Sequence, residues 1–214
     1  MEAELIVGPV LRADGSKTAG AAGRDGSQLS SPVHGEHYEA TSRGRVFRGG
    51  IGGAGIAPGT SLTTTAQALI LFNPLNSGVN LNVINFAHAY VSGTFGLGFW
   101  ALANYSLLTP GTNLVPGGTA SVIQGADGSV GAGKALLWNA ATCTAAPIFG
   151  EVLDWEGVLD GTGATQVGSS RIVRFHGDCV VSPGSGVVFT YVGGAGTSPK
   201  VAVSTKWEEV PIIK

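Results

Sequence analysis

Between Leu69 and Tyr90 the chain permits strands and little else. Leu69-Ile-Leu-Phe72 is a continuous apolar run, as carried by a strand buried on both faces. Val79-Asn-Leu-Asn-Val83 alternates, with Val79, Leu81 and Val83 on one side and Asn80 and Asn82 on the other, the period of a half-buried strand. Asn73-Pro74-Leu75-Asn76-Ser77-Gly78 separates the two runs and is rich in turn formers: Pro presets φ, Gly permits positive φ, and Asn and Ser bond their own backbone. No helix fits this stretch.

Composition extends the reading to the whole chain. The 35 Gly and 10 Pro make about a fifth of the 214 residues, against about 12% in average usage. Charged residues are only 12%, half the usual ~25%, so long helices with solvated outer faces are excluded. The chain reads as all-β. With 43% hydrophobic residues and so little charge, it is expected to hide surface against other chains rather than stand as a monomer.

The net charge is −2, and the basic residues are scattered apart from Arg43, Arg45 and Arg48, so no nucleic-acid footprint is expected. The acidic opening Met1-Glu2-Ala3-Glu4 is not a secretory signal, and no apolar run is long enough to span a bilayer, so no membrane partner is expected. Cys143 and Cys179 are expected to be free, buried thiols.

Two parts are expected. Residues 1–42 read as an extended glycine-rich arm: after the apolar segment Leu5–Leu11, Arg12 to Ser27 has no periodicity and almost no large side chain. Such a segment cannot offset its own ordering entropy and orders only against a partner. Residues 43–214 carry strand candidates near 43–48, 60–65, 67–73, 79–91, 95–103, 119–123, 134–138, 147–153, 171–175, 179–182, 186–192 and 200–208, with a glycine-rich break at 49–59. Strands at about ten-residue spacing predict a sandwich or barrel, and two sheets of about four strands predict a jelly-roll-like antiparallel β-sandwich. The immunoglobulin pattern is not matched: Trp155 lies between the cysteines, but they are too close together and no tyrosine corner precedes the second.

Four groups have the residue types of a chemical site. Gly50-Ile-Gly-Gly-Ala-Gly55 satisfies G-x-G-x-x-G, yet Pro58 and Gly59 follow where a phosphate-binding helix would begin, and the next acidic residue is Asp127. His34-Gly-Glu-His37 beside Glu39 would need a helix and a third ligand to hold a metal; Gly35 and the missing apolar period argue against the helix. His176-Gly-Asp178-Cys179 gathers a base, a carboxylate and a thiol, but strand neighbours point to opposite faces. Glu151, Asp154, Glu156 and Asp160 surround Trp155, as in a sugar cleft or at a bend ending a strand. Phe99, Trp100 and Tyr105 read as core and strand-edge aromatics. No cofactor, metal or catalytic residue is expected.

The Leu71-Phe72-Asn73-Pro74 … Ser77-Gly78 … Asn80-Leu81 turn resembles a motif of tailed-bacteriophage virion structural proteins. The ending is similar too: Pro183-Gly184, Val187-Val188-Phe189, Gly196-Thr197-Ser198-Pro199-Lys200-Val201 and Thr205-Lys206-Trp207-Glu208-Glu209-Val210-Pro211-Ile212 match the same family's last hairpin. The resemblance covers roughly residues 43–212. It implies a non-enzymatic jelly-roll protein on the capsid exterior, assembled in the host cytoplasm: a head decoration or cement protein, commonly a trimer, whose partner is the major capsid protein. On this reading Leu5, Ile6, Val7, Val10, Leu11, Arg12 and Arg24 of the arm are the candidate partner-binding residues. The alternative is a tail or fibre module that binds host glycan through aromatics such as Trp100 or Trp155.

Overall fold

The computed structural model describes residues 36–59, 61–64, 67–106, 117–129, 133–143, 146–156, 170–194 and 196–212. After one helical turn, α1 (Tyr38–Ser42), the strands are β1 (Val46–Ile56), β2 (Gln67–Asn73), β3 (Val79–Thr94), β4 (Gly98–Ser106), β5 (Gly117–Ala120) and β6 (Ile123–Gly125). They continue with β7 (Leu136–Thr142), β8 (Ile148–Glu156), β9 (Ser170–Arg174), β10 (Val180–Val181), β11 (Ser185–Gly193) and β12 (Thr197–Pro211). Ala40–Lys214 forms one compact unit. The arm residues Leu5, Ile6, Val7, Val10, Leu11, Arg12 and Arg24 lie outside the described residues.

The strands form two antiparallel sheets packed as a sandwich. In the first, β9 and β10 both flank β3, and the order runs on through β12 and β1 to β6. In the second the order is β5-β7-β2-β11-β4-β8. Setting aside β5, β6 and β7, one sheet reads β9/β10-β3-β12-β1 and the other β2-β11-β4-β8. Counting β9 and β10 as one position, the chain thus changes sheet at every step except β4 to β8, and its first and last strands are neighbours. That double Greek key is a jelly roll. The strands β5–β7 are an insertion between β4 and β8 that widens both sheets.

The inward stripes of both sheets meet in one core that includes Leu69, Leu71, Trp100, Phe189 and Tyr191 from one side and Val83, Phe86, Val203 and Trp207 from the other. Phe86 and Phe189 stack across the gap with centroids 4.5 Å apart and planes 5° from parallel. The second sheet is apolar on its outer face as well: Ile70, Phe72, Ala103, Cys143 and Val188 form a separate cluster with Leu62 and Trp138. Every residue of β2 is therefore buried, as its unbroken apolar run predicts.

Asn73 locks the passage from one sheet to the other. Its side-chain amide donates to the carbonyls of Val79, 2.8 Å, and Val181, 2.9 Å, and its own carbonyl accepts from the Gly184 amide at 2.7 Å. Ser77 closes the turn on Pro74 O at 3.0 Å, and Gly78 takes a φ of 74°. Leu71 to Leu81 is thus a sheet-crossing link and not a hairpin. The ending departs from its expected form. It was expected to be a hairpin, but β11 pairs with β2 and β4 whereas β12 pairs with β1 and β3.

Three local expectations also change. The glycine-rich stretch expected to break the fold at 49–59 is largely strand: β1 runs to Ile56 because its backbone is paired with β12, Gly49 to Thr205 and Gly50 to Ser204. Glycine is required at position 50, where a Cβ would meet the Val203 carbonyl oxygen at 2.2 Å. The strand expected at 60–65 is absent from its described residues; Ser61–Thr64 is a bend that sets Leu62 on the second sheet and offers Thr64 O to the Cys143 amide. Finally, α1 forms where no apolar period predicted a helix. It starts one residue after His37, and Gly44, at a φ of 65°, ends it.

Candidate functional site

The sequence candidates resolve mostly into structure. Gly50–Gly55 lies within β1, so no helix N-terminus stands ready for a phosphate. His37 sits 3.9 Å from Glu36, and among the described residues no group of three His, Cys, Asp or Glu is placed to hold a metal ion; His34 lies outside them. His176 and Gly177 form a turn with φ of 46° and 95°, in which the Asp178 amide donates to Phe175 O at 2.8 Å. Cys179 points into the inter-sheet core, where burial, seconded by the Glu151 carboxylate, pushes its thiol up from 9.0 to about 12. Cys143 is in the outer cluster of the second sheet, pushed by burial to about 11. Both cysteines are free, and neither can supply a thiolate at neutral pH.

The acidic cluster divides along β8. Glu151 is exposed, Asp154 turns inward, and Asp160 lies outside the described residues. Asp154 Oδ2 is 3.1 Å from His88 Nε2, and its Oδ1 is 3.2 Å from the Arg171 guanidinium. His88 is fully buried on β3, stacked against Trp100 at 5.0 Å and Phe86 at 5.9 Å. Asp154 stood out only as part of an acidic cluster, because His88 and Arg171 are far from it in the chain. It joins β3 and β9 of the first sheet to β8 of the second. A comparable link is made by Glu209, whose Oε1 accepts from the backbone amides of Lys134, 2.7 Å, and Ala135, 3.0 Å. Trp100 is wholly buried, so it cannot offer a ring face to a sugar.

Among the described residues, the outer face of the first sheet forms a trough of about 800 Å³ that is open to a ligand. Its floor is a row of small residues in direct register, Gly50, Ser204 and Ala87, continued by the pair Ala202 and Ala89. Val122 and Ile172, 71% and 64% exposed, stand at its two sides. Beside this floor runs a second row across five strands. Gln124 is paired with Arg48, Arg48 with Lys206, Lys206 with Asn85, and Asn85 with Arg174. The ion pairs of the described residues leave Arg48, Lys206 and Arg174 out. Glu208, two residues along β12 from Lys206, is engaged by Arg45 at 3.4 Å.

The second sheet ends in an exposed edge. Among the described residues its last strand, β8, pairs with β4 alone and carries Ile148, Phe149 and Val152 in the open. The pairing of β8 with β4 shifts register twice, which blunts it as a template for further strands.

No family model, curated protein or solved structure matches the chain.

Proposed function

We propose that this chain is a non-enzymatic structural protein of a tailed-bacteriophage particle: a head decoration or cement protein that binds the assembled shell through the major capsid protein and acts as an oligomer, with a trimer as the expected state. The reading begins with the resemblance of the Asn73-Pro74 … Ser77-Gly78 link and of the C-terminal strands. The observation that carries it is where the open surface lies. Among the described residues, His88 and Asp154 are committed to each other, Glu209 to two amides and both thiols to apolar clusters, while His176 and Asp178 stand exposed on a turn. The broad outer face of the first sheet, by contrast, has exposed apolar walls and cations without carboxylate partners. A surface of that kind suits a protein partner more than a small substrate.

The mechanism is binding. A protein that prefers the assembled shell to its free subunits stabilises the shell by mass action, and an oligomer that engages several capsid subunits gains avidity from modest single contacts. The exposed apolar edge at Ile148, Phe149 and Val152 supports contact with further chains. The glycan-binding alternative loses one of its two aromatics, since Trp100 is core.

Quantitative mass spectrometry of purified particles tests the assignment. The chain should be found in the head fraction at a fixed ratio to the major capsid protein. Absence from particles, or confinement to tails, contradicts it.

A further inference from the structure

We propose that the trough on the first sheet is the docking site for an extended acidic segment of a partner protein, with its carboxylates against Arg48, Lys206 and Arg174 and its small apolar side chains on the Gly50–Ser204–Ala87 floor. The inference rests on the reading of the chain as a protein that binds others on the particle.

Charge is the first argument. Arg48 and Lys206 are direct cross-strand neighbours, and Arg174 stands on the same row one strand beyond Asn85, just outside the trough's own lining. Like charges directly opposite in a sheet are destabilising. Among the described residues lining the trough no carboxylate offsets them. A row of cations that costs stability within the chain is complementary to carboxylates brought from outside.

Shape is the second argument. Neighbouring strands lie about 4.8 Å apart, so the row from Gln124 to Arg174 is about 19 Å long. An extended chain rises about 3.3 Å per residue, so about six residues laid across the strands span it. The floor is open because Gly50 has no Cβ and none can be added there: it would meet the Val203 carbonyl oxygen at 2.2 Å and Ser204 Cα at 2.5 Å. Val122 and Ile172 bound this floor with apolar surface that gains from burial by a partner.

The lining also separates kinds of partner. No Phe, Tyr or Trp is among the described residues that line the trough, and the His88 ring is buried, so a sugar has no open face to stack on. A sulfated polysaccharide would use the cations but leave the apolar floor and walls wet. A peptide carrying both Glu or Asp and small aliphatic residues satisfies both features.

The test combines a probe peptide with heads. A labelled peptide of repeated Glu-Val-Ser units should bind the full chain, a Lys-Val-Ser peptide should not, and R48Q/K206Q should weaken Glu-Val-Ser binding about tenfold or more. Ala87→Trp fills the floor without changing charge and should weaken it as well. The same variants should lose binding to undecorated heads to a similar degree. If the parent chain binds heads and R48Q/K206Q binds them equally well, the trough assignment is overturned while the decoration reading stands. If heads are not bound at all, the decoration reading fails, and the peptide titrations alone decide the trough. Heparin binding that exceeds Glu-Val-Ser binding and survives Ala87→Trp overturns the proposal in favour of a general polyanion surface.

Discussion

Arg48 on β1 and Lys206 on β12 stand directly opposite each other on the outer face of the first sheet, two cations in register with no carboxylate between them. Such a pair disfavours the fold that holds it, and replacing one member by an acid converts repulsion into a cross-strand ion pair. Arg48→Glu is therefore expected to raise stability by about 0.2–1 kcal/mol, read as a higher urea midpoint at unchanged slope. A lower midpoint would mean that the Arg48 stem packs on the sheet to more effect than its charge repels.

Asn73 holds the sheet-crossing link through two carbonyls, Val79 and Val181, at 2.8 Å and 2.9 Å. Asn73→Ala leaves both without that donor in a buried setting, and the expected loss is about 1–3 kcal/mol. Leu75, two residues away and 62% exposed, is the control; Leu75→Ala should stay within about 0.5 kcal/mol. Equal effects of the two substitutions in urea denaturation would remove Asn73 from this role.

Asp154 joins a buried histidine to a mostly exposed arginine. The two contacts should differ in weight. Asp154→Ala strips the buried His88 ring of a hydrogen-bond partner and should cost about 1–3 kcal/mol. Arg171, 63% exposed, is screened by solvent, and Arg171→Ala should cost no more than about 1 kcal/mol. Comparable losses at Arg171 and Asp154 would contradict this ordering.

The two thiols give the fold an alkaline limit. Burial raises Cys143 to about 11 and Cys179 to about 12, from an ordinary 9.0. Below about 9 both states hold the proton and the contribution is complete. Above it the unfolded chain releases protons that the folded chain keeps, so stability falls as pH rises from about 9 through 11 and 12. Native protein at neutral pH should resist iodoacetamide and label rapidly in denaturant. Cys143→Ser and Cys179→Ser together should flatten the alkaline fall. Fast labelling of the native chain would contradict the buried placement.

Much of this architecture was legible in the chain, and what was missed shares a cause. The apolar run Leu69–Phe72 announced a strand covered on both faces, and Val79, Leu81 and Val83 announced the alternation of β3. That alternation then slips: the inward residues become Phe86 and His88, because β3 carries one extra residue, Ile84, opposite the Lys206–Trp207 step of β12. An apolar Ile84 at the bulge looks like any other strand residue, so the alternation alone does not show where the extra residue falls. Gly49–Gly55 read as a loop from intrinsic preference, but pairing with β12 overrides that preference.

The site was harder still. Of Arg43, Arg45 and Arg48, which stood out as a basic cluster, only Arg48 lines the trough; Arg45 is turned to Glu208. Lys206, Ala87 and Ile172 join it from three other strands, and Val122 from the link between β5 and β6. The usable signal was the polar half of the β12 alternation, Ser204 and Lys206, which marks an outward face without saying what lies across from it.

The central claim is that this chain binds an assembled phage head, and co-sedimentation of the purified protein with undecorated heads tests it most directly. The account predicts saturable binding at a fixed ratio to the major capsid protein, accompanied by a raised head disruption temperature. Protein that stays in the supernatant at every ratio, with heads that melt as they do alone, would contradict it.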